Sequence, residues 1–346
     1  MTSIDVTIRG AGIFGLSIAF ACQARGARVQ VVDPHGPGAG ASGGIVGALA
    51  PHVPENWNPK KAFQLESLLM AERFWDDVAQ TGGKTPGYGR TGRLQPLADA
   101  HAVELARSRA EGARSLWQGR ADWRVIPVSD AGPFAPPSPT GLLIHDTLSA
   151  RLHPAQACGA LVAAITARGG RVVTEAPDRG AVVHATGWRG LLRLSEDYGR
   201  KIGDGVKGQA VLFAHAAPDS PQLFVDGLHL VPHADGTLAV GSTSERVFDS
   251  PDATDAQCET LIARALAALP ALDTAPVLRR WAGVRPRARS RAPLLGALPG
   301  HPGHFVANGG FKIGFGMAPG IAEAMARLIL DGENTIPTDF LFESLA

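Results

Sequence analysis

The stretch Val6-Thr7-Ile8-Arg9-Gly10-Ala11-Gly12-Ile13-Phe14-Gly15 carries a short apolar strand straight into a glycine turn and then into an apolar helix. A second apolar run, Val29-Gln30-Val31-Val32, ends on Asp33, eighteen residues beyond Gly15. Each residue type has a task in such a unit. Gly10 makes the tight turn, Gly12 lets backbone approach a pyrophosphate, and Gly15 lets helix and strand pack closely. The helix N-terminus, with the amides of Ile13 and Phe14, offers unpaired N–H groups and the positive end of its dipole to that diphosphate. Asp33 can accept hydrogen bonds from ribose hydroxyls. GxGxxG alone is a weak signal in a chain with 42 glycines. Flanked by both strands, the helix and the acid, it predicts a bound dinucleotide.

The rest of the chain agrees with an ordinary globular protein. Its 346 residues, 45% hydrophobic and 19% charged, are enough for one large or two interleaved domains. A formal charge of +1 argues against a general nucleic-acid or membrane surface. Cys22, Cys158 and Cys258 lie far apart, with neither CxxC nor metal spacing, which fits a reducing compartment. The first strand starts close behind Met1, with no charged-then-apolar leader, and the apolar run 13–24 is too short to span a bilayer. A cytoplasmic protein with no membrane partner is expected.

Strand and helix alternate at both ends, around a β-rich and proline-rich middle. Helices are predicted over 60–79, 99–118, 154–168, 255–269 and 319–330, the last with Pro319 at its first position. Strands are predicted over 171–174, 181–184, 209–214, 223–232, 237–241, 277–284 and 304–307. The expected fold class is mixed α/β: a Rossmann-like nucleotide-binding domain assembled from 1–84, 141–205 and 280–346, with an inserted antiparallel-sheet substrate domain from 85–140 and 206–279.

Two small-residue segments bear on which dinucleotide binds. Gly40-Ala41-Ser42-Gly43-Gly44-Ile45-Val46-Gly47-Ala48 follows the ribose-binding acid and can lie against a flat ring, with Ser42 as a phosphate donor. A flexible loop is the plainer alternative. Asn308-Gly309-Gly310-Phe311-Lys312-Ile313-Gly314 leads into the final helix, whose N-terminus can face the pyrimidine edge of a flavin. These segments, with Ala185-Thr186-Gly187 and Trp281-Ala282-Gly283-Val284-Arg285-Pro286, resemble the FAD-dependent D-amino acid oxidase superfamily. Within it the likeness is to glycine oxidase and sarcosine oxidase types, and to the oxidase half of the tRNA methylaminomethyl-uridine enzyme. The resemblance implies FAD as cofactor and adds Val173, Thr186 and Gly187 to its contacts. It also implies non-covalent binding, since the cysteine that tethers flavin in sarcosine oxidases has no counterpart near Gly283. The hairpin usual between the strands at 172–173 and 182–183 shrinks here to 175–180.

Amine oxidation at a flavin needs little acid–base machinery. The substrate C–H must point at the ring and the nitrogen must carry a free lone pair, so positioning dominates. An amino-acid substrate needs a cation for its carboxylate, and Arg285 is the first candidate because a planar guanidinium grips a carboxylate through two parallel bonds. The resemblance implies the same role for Lys312. His52 can face substrate or ring, or serve structure, and Tyr88 can place a phenol over the substrate. His229 and His233 stand four apart in a predicted strand, which separates them by roughly 13 Å, so no metal is assigned. The expected partners are a small amino acid or N-substituted glycine, with oxygen reduced to hydrogen peroxide. The alternatives are an N-carboxymethylated amine on tRNA, drawing on the arginines between 279 and 291, and a flavin-binding subunit without turnover.

Overall fold

The computed structural model describes residues 3–345. Seven helices are defined: α1 (Ile13–Ala24), α2 (Pro59–Gly82), α3 (Ala100–Trp117), α4 (Pro154–Ala167), α5 (Gly187–Asp197), α6 (Ala256–Ala268) and α7 (Gly314–Asp331). Their starts follow capping chemistry. Asn58, Asp99 and Asp255 each accept a backbone N–H from the first turn that follows, and Pro59 occupies the first position of α2, where its missing donor costs nothing.

One sheet has six strands in the order Leu294–Ala297, His304–Asn308, Ala181–His184, Val6–Arg9, Val29–Val32, Arg171–Val173. All neighbours are parallel except the first pair. Val6–Arg9 is central, and α1, α2, α4 and α7 share a buried core with it that includes Val6, Ile8, Leu16, Ile18, Trp75 and Met317. Because α1 is enclosed by α4, α7 and the sheet, it is apolar nearly all round rather than on one stripe. The carboxyl ends of Val6–Arg9, Val29–Val32, Ala181–His184 and His304–Asn308 run into Gly10, Asp33, Ala185 and Gly309, along the edge where open α/β sheets bind ligands.

The second sheet has eight strands in the order Val277–Ala288, Gly203–Ala214, Thr237–Gly241, Leu228–Pro232, Gln222–Val225, Arg93–Pro96, Leu142–Asp146, Trp123–Pro127. It is antiparallel apart from the Gln222–Val225 and Arg93–Pro96 pair. A two-stranded piece, Ala48–Leu49 with Ala150–Arg151, links the small-residue segment to the rest.

Several elements differ from the sequence expectation. The final helix begins at Gly314, so Pro319 lies inside it. The helix passes the proline because the Gly320 N–H donates to Ser67 Oγ of α2 at 3.0 Å. The run 223–232 is two strands, parted by Asp226 and Gly227 at φ 46° and 79°. That Asp-Gly pair is a two-residue hairpin turn, in which both central residues have positive φ. Helix α5 follows Thr186 where only a glycine turn was expected. Leu142–Asp146 and Val277–Ala288 belong to the second sheet, although 141–205 and 280–346 were expected in the nucleotide domain. Val277–Ala288 pairs along almost its whole length with Gly203–Ala214, which holds it there.

Candidate active site

A cavity of about 1510 Å³ opens at the carboxyl edge of the six-stranded sheet and continues along one end of the eight-stranded sheet. At its nucleotide end, a Cβ on Gly10, at φ 109°, would stand 2.2 Å from the Ala185 carbonyl oxygen. A Cβ on Gly12 would stand 3.2 Å from Ser42 Oγ, inside the cavity lining. Gly12, at the N-cap position of α1, supplies no side-chain cap. Ser42 Oγ accepts from the Ile13 N–H at 2.9 Å, which leaves its own O–H free to donate. Asp33 accepts from the Ala11 N–H at 2.8 Å and from the His35 N–H at 3.0 Å, one bond to each oxygen. Asp33 therefore pins the glycine turn and keeps lone pairs for ribose hydroxyls. A helix start whose first N–H alone is taken by Ser42, a hydroxyl donor and two positions cleared of side chain fit the diphosphate of FAD.

Gly10, Gly12, Ile13, Phe14, Asp33, Ala41, Ser42, Ala48, Thr186 and Gly187 all line the cavity, as do Gly310, Phe311, Lys312, Ile313 and Gly314. Three expected contacts do not. Gly15 is set by packing, since a Cβ there would lie 2.0 Å from the Gly10 carbonyl oxygen. Gly43 is cleared for the Gly38 carbonyl in the same way, at 2.2 Å. Val173 has its carbonyl taken by the Asp33 N–H at 3.0 Å.

At the other end, Arg285 and Lys312 face the cavity. Arg285 projects from Val277–Ala288 and lies across the neighbouring strand over Gly208, where a Cβ would stand 1.9 Å from its guanidinium. This crossing brings Nη2 to Ser242 Oγ at 2.6 Å, beyond the end of the next strand, while Nη1 donates to the Thr243 carbonyl at 3.4 Å. Burial, opposed by the Glu245 carboxylate, lowers the Arg285 pKa to about 10, still protonated at neutral pH. Among the described residues no carboxylate is in ion-pair contact with it. Lys312 follows Phe311 at the start of α7. Its ammonium is held below the usual lysine range by burial and then by Arg285, so the two cations share one field.

Two neutral imidazoles line the cavity as well. His52 bonds through Nδ1 to Gln64 Oε1, and Gln64 spends its amide on the Ala50 carbonyl. His229 bonds through Nδ1 to Gln222 Oε1 at 3.2 Å, and Gln222 donates to the Leu49 and Ala150 carbonyls. In each case the glutamine oxygen must accept, so Nδ1 carries the proton and Nε2 keeps a lone pair. Burial lowers both pKa values, that of His229 to about 3.

Tyr88 does not line the cavity. Its hydroxyl is buried without a partner, burial raises its pKa, and its charged neighbours include Glu72 and Asp76 of α2. Arg93, Phe224, His229, Ser242 and Trp281 line the cavity without having been singled out for it. A small signal was available for Trp281: Gly283, two residues on, must be glycine because a Cβ would lie 2.4 Å from the folded-back indole.

Residues 5–328 match the DAO family, described as FAD dependent oxidoreductase. Glycine oxidase of Pseudomonas putida is 27% identical over 96% of this chain and 96% of its own length. The MnmC tRNA 5-methylaminomethyl-2-thiouridine biosynthesis bifunctional protein of Maricaulis maris is 26% identical over 94% of this chain, which spans only 52% of that protein. Glycine oxidase from Geobacillus kaustophilus superposes with a TM-score of 0.85 at 21% identity, covering 98% of both chains. With the pyrophosphate cradle at one end of its cavity and the family pattern matched over nearly its whole length, this chain belongs to the DAO family of FAD-dependent oxidoreductases.

Proposed function

We propose that the chain oxidises the C–N bond of a small amino acid or an N-substituted glycine. The observation that carries this reading is the Arg285–Lys312 pair, two cations facing the cavity beside the α7 N-terminus with no protein carboxylate bonded to either. The likeness to glycine oxidase over full length supports the substrate class.

When bound, FAD would supply the acceptor for the hydride, and with it both electrons, leaving the substrate Cα. The residues around it bind and orient. Arg285, fixed by Ser242 and Thr243, offers a planar face of N–H donors to the carboxylate, and Lys312 adds charge from α7. An Nε2 lone pair of His52 or His229, both of which line the cavity, would accept from the amine N–H. With its pKa at about 3, His229 is too weak a base to take a proton at neutral pH, so the ammonium proton leaves to solvent. The α-carbon and nitrogen become an imine, and water hydrolyses it to an oxo acid and the amine. Oxygen is the proposed final acceptor, giving hydrogen peroxide. None of the three cysteines lines the cavity, which supports non-covalent attachment.

The test is anaerobic: glycine, sarcosine and D-alanine are added to the purified yellow protein and the visible flavin band is followed. Bleaching by at least one, with peroxide formed on admitting air, is expected. No bleaching across the panel refutes the reading. An RNA-borne carboxymethylamine, the reading that the Maricaulis relative raises, would require tRNA retention that falls steeply with salt.

A further inference from the structure

The cavity lining contains a buried arginine that the reaction above does not use. Arg93 lies on Arg93–Pro96 with 7% of its side chain exposed. Its Nε donates to Asp146 Oδ2 at 2.9 Å, and Asp146 is fully buried, with its other oxygen accepting the Ser149 N–H. The Arg93 carbon Cζ lies 5.9 Å from the Trp123 ring centroid and 5.7 Å from that of Phe224, so two aromatic groups fix the guanidinium. Fold stability is served by Nε and the rings. The two terminal Nη groups make no hydrogen bond to protein, and Arg93 lines the cavity. The Nη pair is thus left open to the cavity, where a carboxylate would gain a forked, charge-assisted contact.

The neighbours agree. Phe224 stacks on His229 with centroids 4.7 Å apart, and His229 senses the charges of both Arg93 and Lys312. Lys312 in turn senses Arg285. Arg93, Phe224 and His229 therefore line one contiguous stretch of the cavity that Arg285 and Lys312 also line, so a neutral acceptor stands beside the Arg93 fork. The carboxylate of glycine needs only one of the two arginine forks.

We propose that Arg93 is a specificity-determining residue for a second carboxylate, carried on the substrate beyond its amine. The preferred substrate is then an N-substituted glycine with an acidic arm. One carboxylate lies on Arg285 and Lys312, the amine faces His229 Nε2, and the other carboxylate takes the Arg93 Nη pair. This rests on the amine-oxidation reading but concerns a different part of the cavity lining.

The test compares acids with their isosteric amides. N-(carboxymethyl)glycine is set against N-(carbamoylmethyl)glycine, and N-(2-carboxyethyl)glycine against its amide, by kcat/KM for anaerobic flavin reduction. In the wild type at least one arm length should favour the acid by roughly 30-fold or more, the scale of a desolvated charge contact. The variant Arg93→Met with Asp146→Asn removes both members of the buried pair, so no lone carboxylate is left behind. It should bring the ratio close to one while glycine oxidation changes only a few-fold. Arg93→Lys, which keeps the charge and loses the fork, should lower the ratio too, and it serves if the double variant does not fold. Binding of inert glutarate against its monoamide, followed by perturbation of the flavin spectrum, reads the same site without turnover. A ratio near one in the wild type while glycine or sarcosine still bleaches the flavin overturns the second subsite alone. An acid preference that survives loss of Arg93 overturns it as well. If nothing is oxidised yet glutarate binds in an Arg93-dependent way, the subsite stands and the amine-oxidase reading fails.

Discussion

Gly208→Ala isolates the position of Arg285 from its presence. Gly208 sits opposite Gly283 in the paired strands, and Arg285, two residues further along, lies diagonally across it. An added Cβ would stand 1.9 Å from one guanidinium nitrogen, 2.2 Å from the other and 2.3 Å from the carbon between them. Restoring ordinary van der Waals separation needs a displacement of about 1.5 Å. The atoms that must move are the far end of a flexible side chain, and Gly208 has no positive φ, so the backbone accepts alanine. The strand gains from alanine about what it loses when the Ser242 bond breaks, roughly 1 kcal/mol each way, so the fold should hold. Substrate binding should not. A misplacement of this size at a clamp costs on the order of 100-fold, and complete loss of the charged contact roughly 2–5 kcal/mol.

The assay is a four-member cycle of wild type, Gly208→Ala, Arg285→Ala and the double variant, scored by flavin content, melting temperature and kcat/KM. Flavin content should be unchanged throughout. Gly208→Ala should lose most of what Arg285→Ala loses, and the double variant should be no worse than Arg285→Ala alone, because both changes remove one interaction. Wild-type kinetics in Gly208→Ala, or losses that simply add in the double variant, would refute the placement of Arg285 as the clamp.

Two further outcomes follow from the buried polar groups. Tyr88→Phe removes a buried hydroxyl without a partner and should leave kcat/KM unchanged while stability holds or rises by about 1 kcal/mol; a loss of activity would return Tyr88 to the site. His229 and His233 have pKa values lowered by burial to about 3 and about 4 from an ordinary 6.5. The unfolded chain binds protons first, so their contribution is complete above pH 6.5 and is lost as pH falls toward those lowered values, by roughly 2–5 kcal/mol each. His233→Gln should flatten the acid limb of a melting-temperature profile between pH 6.5 and 4, and an unchanged slope would show that His233 does not titrate this way.

The nucleotide half of the molecule was legible because its signals are local. The glycine spacing, the strand ahead of it and Asp33 behind it all act within one supersecondary unit, and Gly10, Gly12 and Ser42 do line the cavity. The start of α7 was misread because Pro319 is a strong first-position signal, and only tertiary contact shows Ser67 taking the Gly320 N–H. The Asp226-Gly227 turn was visible in the sequence and was passed over in favour of one long apolar strand. Arg93 could not be found from its own segment. Its partners Asp146, Trp123 and Phe224 come from three other strands, and nothing about a lone arginine after Gly92 announces that they will meet. Tyr88 failed for the converse reason: its position near a predicted junction said nothing about which way the ring would turn, and it packs into the helical core.

The arginines between 279 and 291 show how a linear cluster dissolves in three dimensions. In sequence they read as one basic stretch, which gave the tRNA alternative part of its force. In the structure, Arg279 to Arg287 ride on one extended strand, where successive side chains point to opposite faces. Arg280 turns outward to pair with Glu259 at 2.9 Å. Arg285 turns inward to the cavity, and Arg287 stacks over Phe311 at 5.5 Å. Arg289 donates to the Leu345 carbonyl beyond the strand end. A phosphate backbone needs cations presented along one accessible face. Period-two alternation parts Arg280 from Arg279, Arg285 and Arg287, and on that shared face Arg285 is turned to the cavity while Arg287 lies over Phe311, so the run is not one uniform basic stripe. Arg285 and Lys312 are cations of the cavity itself, and they suit a small anion entering it.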